Sequence, residues 1–281
     1  MPRMFVSSRN ASHYQARADA HFQGSAGYWK QVYERRSLEA LIYQHRQLAA
    51  LALADALQLV PATPVLEVGC GAGFTAVALA QRGYAVEAID TVPQMLDQTR
   101  ILARKAGVGE LVNAKCGDMH RLGYADNSFG LVVAIGVLPW LHSPRQALRE
   151  VARVLAPGGH FIASADNRWR LTRLLDPFSW ARAAAAIAMR RLSLRSVPTW
   201  RTHSIRRIDA DLESVGFQKV DGMTLGFGPV SVFGFQLLSG AAEIAIHKKL
   251  QNFADRGMPV FRSTGAHYLF LARKNAAGTE H

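Results

Sequence analysis

Residues 65–80 read VLEVGCGAGFTAVALA. An apolar run meets an acid at Glu67, breaks at Gly69, Gly71 and Gly73, and resumes at helical spacing. That order spells a strand, a turn and the start of a helix. A turn without side chains lets a flat adenosine-bearing cofactor lie against the backbone. Two such cofactors, a dinucleotide and adenosyl-methionine, make different demands. The dinucleotide pattern GxGxxG places its last glycine at position 74, where Phe74 stands. An acid at Glu67 repels a pyrophosphate but suits an ammonium group. Asp90 ends the next apolar run, where a carboxylate accepts from ribose hydroxyls of either cofactor. Asp118 follows a third short run and is placed to accept from an adenine amino group, with the Met119 backbone beside it. Together these acids favour adenosyl-methionine.

The flanking chain alternates strand and helix. Ser37 to Leu59 repeats apolar residues at helical spacing, and strands are predicted over 64–68, 84–89, 110–115, 131–135 and 160–165. Ser143-Pro144 starts a helix, with Gln146 three residues after Ser143 in a capping-box pattern. This alternation predicts a doubly wound α/β fold with helices on both faces of a parallel sheet. The regularity breaks twice, over 166–202 and about 229–258, in two mainly helical insertions. The expected organisation is a helical lid over 1–60, a cofactor-binding core over 61–165, an arginine-rich insertion over 166–202, and a C-terminal part of the same sheet over 203–281.

On these residues the sequence resembles the class I methyltransferases that use S-adenosyl-L-methionine, and within them the bacterial group of the ubiquinone and menaquinone biosynthesis enzymes. The resemblance is carried by VLEVGCGAG (65–73), the acid of VEAID (86–90), the Gly-Asp of CGDMHRLGYADNSFGLVVAIGVLPWL (116–141) and ALREVARVLAPGGHF (147–161). It implies a seven-stranded Rossmann-like sheet whose last strand is antiparallel. It also implies cofactor contacts at Glu67, Gly69, Cys70, Gly71, Asp90, Thr91, Met95, Asp118, Met119, Ile135 and Gly136.

Methyl transfer from a sulfonium is an in-line displacement, so few side chains need take part. His142, in the loop GVLPWLHSP (136–144), is the first candidate general base, and His203, opening the helix after the first insertion, is the second. Trp140 is expected to wall the acceptor pocket, with Tyr28 and Tyr33 contributing an aromatic lid. An Asn- or Asp-Pro-Pro-aromatic motif, used on exocyclic amines of bases, is absent after residue 135. Neither Cys70 nor Cys116 sits beside proline as a pyrimidine-methylating nucleophile would, and no zinc-ligand spacing is present. A small-molecule acceptor methylated on oxygen is the leading expectation. An RNA methyltransferase and a non-catalytic cofactor-binding partner protein are the competing ones.

The chain has 281 residues, 49% of them hydrophobic, which suffices for one large core. Its net charge of +12 is concentrated. Between Arg168 and Arg207 lie ten arginines, no lysine and one acid, Asp176, and the rest is near neutral. Such a window can face an anionic ligand or a membrane surface, or be solvated. Two cysteines and no span of membrane length suggest a cytoplasmic protein.

Overall fold

The computed structural model describes residues 8–32, 37–178, 201–229 and 240–276, together with 180–181, 185, 231–232 and 235–236. Much of the predicted insertion over 166–202 lies outside them, including Arg182, Arg190, Arg191 and Arg195, as does Tyr33. Seven strands make one sheet: β1 (Pro64–Val68), β2 (Ala85–Asp90), β3 (Val112–Cys116), β4 (Phe129–Ala134), β5 (Leu155–Asp166), β6 (Phe217–Leu225) and β9 (His267–Lys274). Their order is β3-β2-β1-β4-β5-β9-β6. β1 to β5 run parallel, while β9 is antiparallel to both β5 and β6. A separate two-stranded ribbon, β7 (Ser231–Val232) and β8 (Phe235–Gln236), follows β6.

Strand residues alternate between two cores, as the period of two requires. Leu66, Val132, Phe161 and Phe270 face one layer, completed by α5 (Pro144–Val154) and α7 (Ile205–Glu213). Val65, Leu131, Ile162 and Leu271 face the other, under α2 (Leu38–Ala56), α3 (Phe74–Ala80) and α4 (Pro93–Lys105). Phe161 and Phe270 are fully buried and meet edge to face at 5.7 Å. Truncating either to alanine would cost about 3–5 kcal/mol.

Strand order reverses between β1 and β4, and open α/β sheets bind ligands outside the carboxyl ends of their strands at that point. Two helices cover it. α2 starts at Ser37, whose Oγ accepts from the Ala40 amide at 3.2 Å. α1 (Ser8–Val32) docks through a polar pin: the Thr91 hydroxyl donates to Asp19 Oδ1 at 2.7 Å, and Gln15 Nε2 donates to the same oxygen at 2.8 Å.

Within the second predicted insertion, α8 (Gly240–Asp255) is tied to the end of β6. Gln251 accepts from the Gly226 amide at 2.9 Å, and His247 Nδ1 accepts from the Phe227 amide at 3.1 Å. The short helices α6 (Leu171–Leu174) and α9 (Phe261–Thr264) complete the described elements. One local expectation fails. Ser143 precedes α5, but its side chain makes no capping bond, and Gln146 Nε2 donates to the His120 carbonyl at 3.0 Å. Ser143 contributes its amide instead, 3.3 Å from His120 Nε2.

Candidate functional site

A cavity of about 570 Å³ opens at the β1/β4 reversal, within the range of small-molecule sites. One end is built from the glycine turn and strand ends. Gly69, Gly71 and Gly73 have φ of 65°, 55° and 85°, the left-handed region that side chains disfavour. A Cβ on Gly73 would lie 2.8 Å from the Thr99 backbone, so this glycine lets α3 sit on α4. A Cβ on Gly71 would meet no protein atom within 4 Å. That position is open space beside the cavity, and it is free for a ligand.

Glu67, next to last in β1, is 3% exposed, and its Oε2 has no hydrogen-bond partner. Burial first, and the charge of Asp90 second, push its carboxyl up to about 8, against hydrogen bonds from Ala76 and Thr75. An ammonium group bound in the cavity would satisfy the orphaned oxygen. Asp90 ends β2, accepting from the Gly71 amide and the Val92 amide, each at 2.9 Å. Burial raises its carboxyl above the ordinary range, these amides oppose the shift, and Asp19 adds to it. Asp118 Oδ1 accepts from the His120 amide at 2.8 Å and lies 2.7 Å from His120 Nδ1. Burial would raise Asp118, but the His120 contacts prevail and hold it low.

All eleven positions expected at the cofactor line this cavity: Glu67, Gly69, Cys70, Gly71, Asp90, Thr91, Met95, Asp118, Met119, Ile135 and Gly136. Among the pocket aromatics, Tyr28 and Trp140 line it as well. Trp140 stacks on His21 at 4.9 Å and meets Phe22 edge-on at 4.8 Å, so α1 roofs the loop after β4.

Neither of the two histidines expected as bases is among the residues that line this cavity. His142 does not line the cavity; its ring stacks on His120 at 3.6 Å. Its Nδ1 is buried without a partner, and burial lowers its basicity. His203 does not line the cavity either. Its backbone bridges to Asn167, with its amide donating to the Asp166 carbonyl at 2.8 Å, and its Nδ1 is buried unpartnered.

The cavity brings in residues the sequence did not single out. Asp166 and His267 face each other across β5 and β9, with Oδ1 to Nδ1 at 3.0 Å. Burial pushes His267 below its ordinary value, Asp166 opposes, and nearby Arg46 adds to the fall. A neutral imidazole with Nδ1–H toward Asp166 leaves Nε2 able to accept a proton. Arg46 lines the same end at 5% exposure. Its signal was present: it shares a helix face with buried Ile42 and Ala50, four residues either side.

The fold and this cavity resemble a class I methyltransferase domain with its S-adenosyl-L-methionine site, and comparisons with known proteins agree. Residues 66–163 match the family model described as a methyltransferase domain. The chain is 35% identical over 135 residues to malonyl-(acyl-carrier protein) O-methyltransferase of Halorhodospira halophila, covering 44% of this chain and 45% of that protein. It is 38% identical over 103 residues to the methyltransferase GfsG of Streptomyces halstedii, covering 36% and 37%. These matches span less than half of either relative. Among solved structures, magnesium protoporphyrin IX methyltransferase from Synechocystis PCC 6803 with bound SAH aligns at TM-score 0.62 and 16% identity, over 93% of this chain and 100% of that one. The (4+2)-cyclase SpnF aligns at TM-score 0.55 and 22% identity, over 82% and 81%. No helix among the described residues is long and apolar enough to cross a membrane.

Proposed function

We propose that the protein transfers the methyl group of S-adenosyl-L-methionine to an oxygen of a small-molecule acceptor. The observation that carries this is the single cavity in which the open glycine turn and orphaned Glu67 meet an enclosed aromatic end holding the Asp166–His267 pair. The cofactor supplies a methyl group on a sulfonium, already activated for displacement. Glu67 offers Oε2 to the ammonium, Asp90 accepts from the ribose hydroxyls, and Asp118 with the Met119 backbone holds the base. His267 takes the acceptor's hydroxyl proton on Nε2, while Asp166 fixes its tautomer and balances the imidazolium formed. Trp140, His21 and Phe22 exclude water over the reacting atoms.

The roof narrows the acceptor to a molecule that fits beneath α1 and α2, which disfavours nucleic acid. The basic window also has internal partners. Arg207 pairs with Asp211 at 3.1 Å, and Arg201 lies over the Tyr14 ring at 5.3 Å. A role for the remaining arginines at a membrane surface or an anionic ligand stays part of the proposal, as do the boundaries 1–60, 61–165, 166–202 and 203–281 and a cytoplasmic location.

The test is incubation with deuteromethyl-labelled adenosyl-methionine and a pooled metabolite extract. The expected outcome is label in a low-molecular-weight product, with adenosyl-homocysteine formed in equal amount. Label confined to RNA or protein, or cofactor binding without turnover on any extract, would contradict it. The second outcome would point toward non-methylating use of the fold.

A further inference from the structure

His120 is buried and lines no part of the cavity, although Asp118, two residues earlier, does. Every polar atom of His120 is engaged. Its amide donates to Asp118 Oδ1 at 2.8 Å, and its carbonyl accepts from Gln146 Nε2 at 3.0 Å. Nδ1 lies 2.7 Å from the same Asp118 oxygen, and Nε2 lies 3.3 Å from the Ser143 amide. These partners fix the tautomer. A backbone amide only donates, so Nε2 accepts and Nδ1 carries the proton. Nδ1–H then donates to the Asp118 carboxylate in a charge-assisted bond.

The ring is also held from its face. His142 stacks on it with centroids 3.6 Å apart and planes 12° from parallel. Burial first, and the charge of His120 second, lower the basicity of His142. His142 is therefore uncharged at neutral pH, and the stack brings no like charges together. Asp118 is different in kind. Its side chain is 42% exposed on a loop, where an unrestrained carboxylate samples several rotamers. Both donors from His120 fall on Oδ1, and Oδ2 has no partner among the described residues. An amide alone would leave the carboxylate free to pivot about Oδ1, and the second bond from a buried ring removes that freedom. The same contacts hold the carboxyl below its ordinary range against its burial, so it stays an acceptor.

We propose that His120 is a positioning residue for the cofactor: its ring aims Asp118 Oδ2 at the adenine amino group, and His142 braces that ring from behind. This rests on the role given to Asp118 in the proposed function and deepens it. Adenine selectivity then depends on two histidines that lie outside the cavity. The Ser143 amide, freed from any capping bond of its side chain, sets the tautomer that makes Nδ1 the donor.

The probes are S-adenosyl-L-homocysteine and its analogue with hydrogen in place of the adenine amino group, each titrated calorimetrically into the ligand-free protein. Wild type should bind the amino ligand about tenfold or more tighter, the worth of a hydrogen bond to a charged acceptor. His120→Gln and His120→Leu remove the Nδ1 donor. Each should lower that preference about threefold or more while affinity for the analogue stays unchanged. Either variant suffices if the other does not fold. His120→Asn sets an amide nitrogen close to the position of Nδ1 and should restore most of the preference.

Equal losses of affinity for the two ligands, or a preference that survives both removals, would overturn the proposal and leave His120 a structural link to α5. A preference lost in His120→Asn as fully as in His120→Leu would overturn it too, because the donor position would not matter. Equal affinity of wild type for the two ligands would strike the Asp118 contact and the proposal with it. Failure of adenosyl-homocysteine itself to bind would instead strike the underlying function, so these failures are distinguishable.

Discussion

At the scale of single residues, the proposed function gives three side chains the chemistry, and each has its own test. Glu67 is the clearest, because the same burial that orphans Oε2 raises its carboxyl to about 8. A carboxyl raised in the folded state binds protons there more tightly than in the unfolded chain. Its contribution to stability is therefore full below about pH 4.5 and is lost as pH rises toward 8. Glu67→Gln should raise the ligand-free melting temperature at pH 8 while weakening adenosyl-methionine binding. Calorimetry in buffers of different ionisation enthalpy should register proton release when wild type binds the cofactor at pH 7. Release of no protons would contradict the pairing with an ammonium.

Asp90→Asn should weaken cofactor binding about tenfold to a hundredfold, the worth of hydrogen bonds to a charged acceptor. Unchanged affinity would refute the ribose role. His267 lies below its ordinary value near 6.5, so kcat/KM should be flat above neutrality and fall as pH drops through that lowered value. His267→Ala should abolish the acidic limb and lower kcat at pH 8, whereas His142→Ala should leave the limb intact. A limb that persists without His267 would assign the base elsewhere.

At the scale of elements, the glycine turn separates fold from function. Gly73→Ala drives a methyl group into the Thr99 backbone at a left-handed φ, and should destabilise the protein by about 2 kcal/mol or more. Gly71→Ala meets no protein atom, so its stability loss should be limited to the strain of φ 55°, about 1 kcal/mol, while cofactor affinity falls steeply. Equal losses of affinity and stability in the two variants would mean that Gly71 is only a structural turn residue. This turn was legible in the sequence because glycine spacing and strand-end acids are local signals. The same holds for the strand–helix alternation through β5.

What stayed illegible has a common cause. Asp166 and His267 meet only because β9 inserts antiparallel between β5 and β6, so residues far apart in sequence become cross-strand neighbours. His142 looked close to the reacting centre by sequence distance, but the turn into α5 stacks it on His120 instead. A helical lid was expected over 1–60, but the bounds of α1 were not read, because its buried stripe of Tyr14 and Ala18 is thin and its docking is polar and aromatic. Arg46 was passed over as one charge in an apolar pattern.

At the scale of the whole molecule, the described residues form one seven-stranded sheet with helices packed on both faces and a cavity at its strand reversal, roofed by α1 and α2. A ligand that binds only the folded chain stabilises it by mass action. Adenosyl-homocysteine at a hundred times its Kd should add about 2.7 kcal/mol. That corresponds to a melting shift of roughly 5 °C or more for a chain of this size. Trimming the roof through Trp140→Ala should lower kcat more than cofactor affinity under the proposed function, which puts Trp140 over the acceptor; a loss confined to cofactor binding would place the aromatic wall over the donor instead.

The most direct test of the central claim is a calorimetric titration of S-adenosyl-L-methionine into the wild-type protein beside Asp90→Asn. Saturable binding of one molecule per chain, weakened at least about tenfold in the variant, is the expected result. Absence of saturable binding to the folded wild type at millimolar cofactor would contradict it.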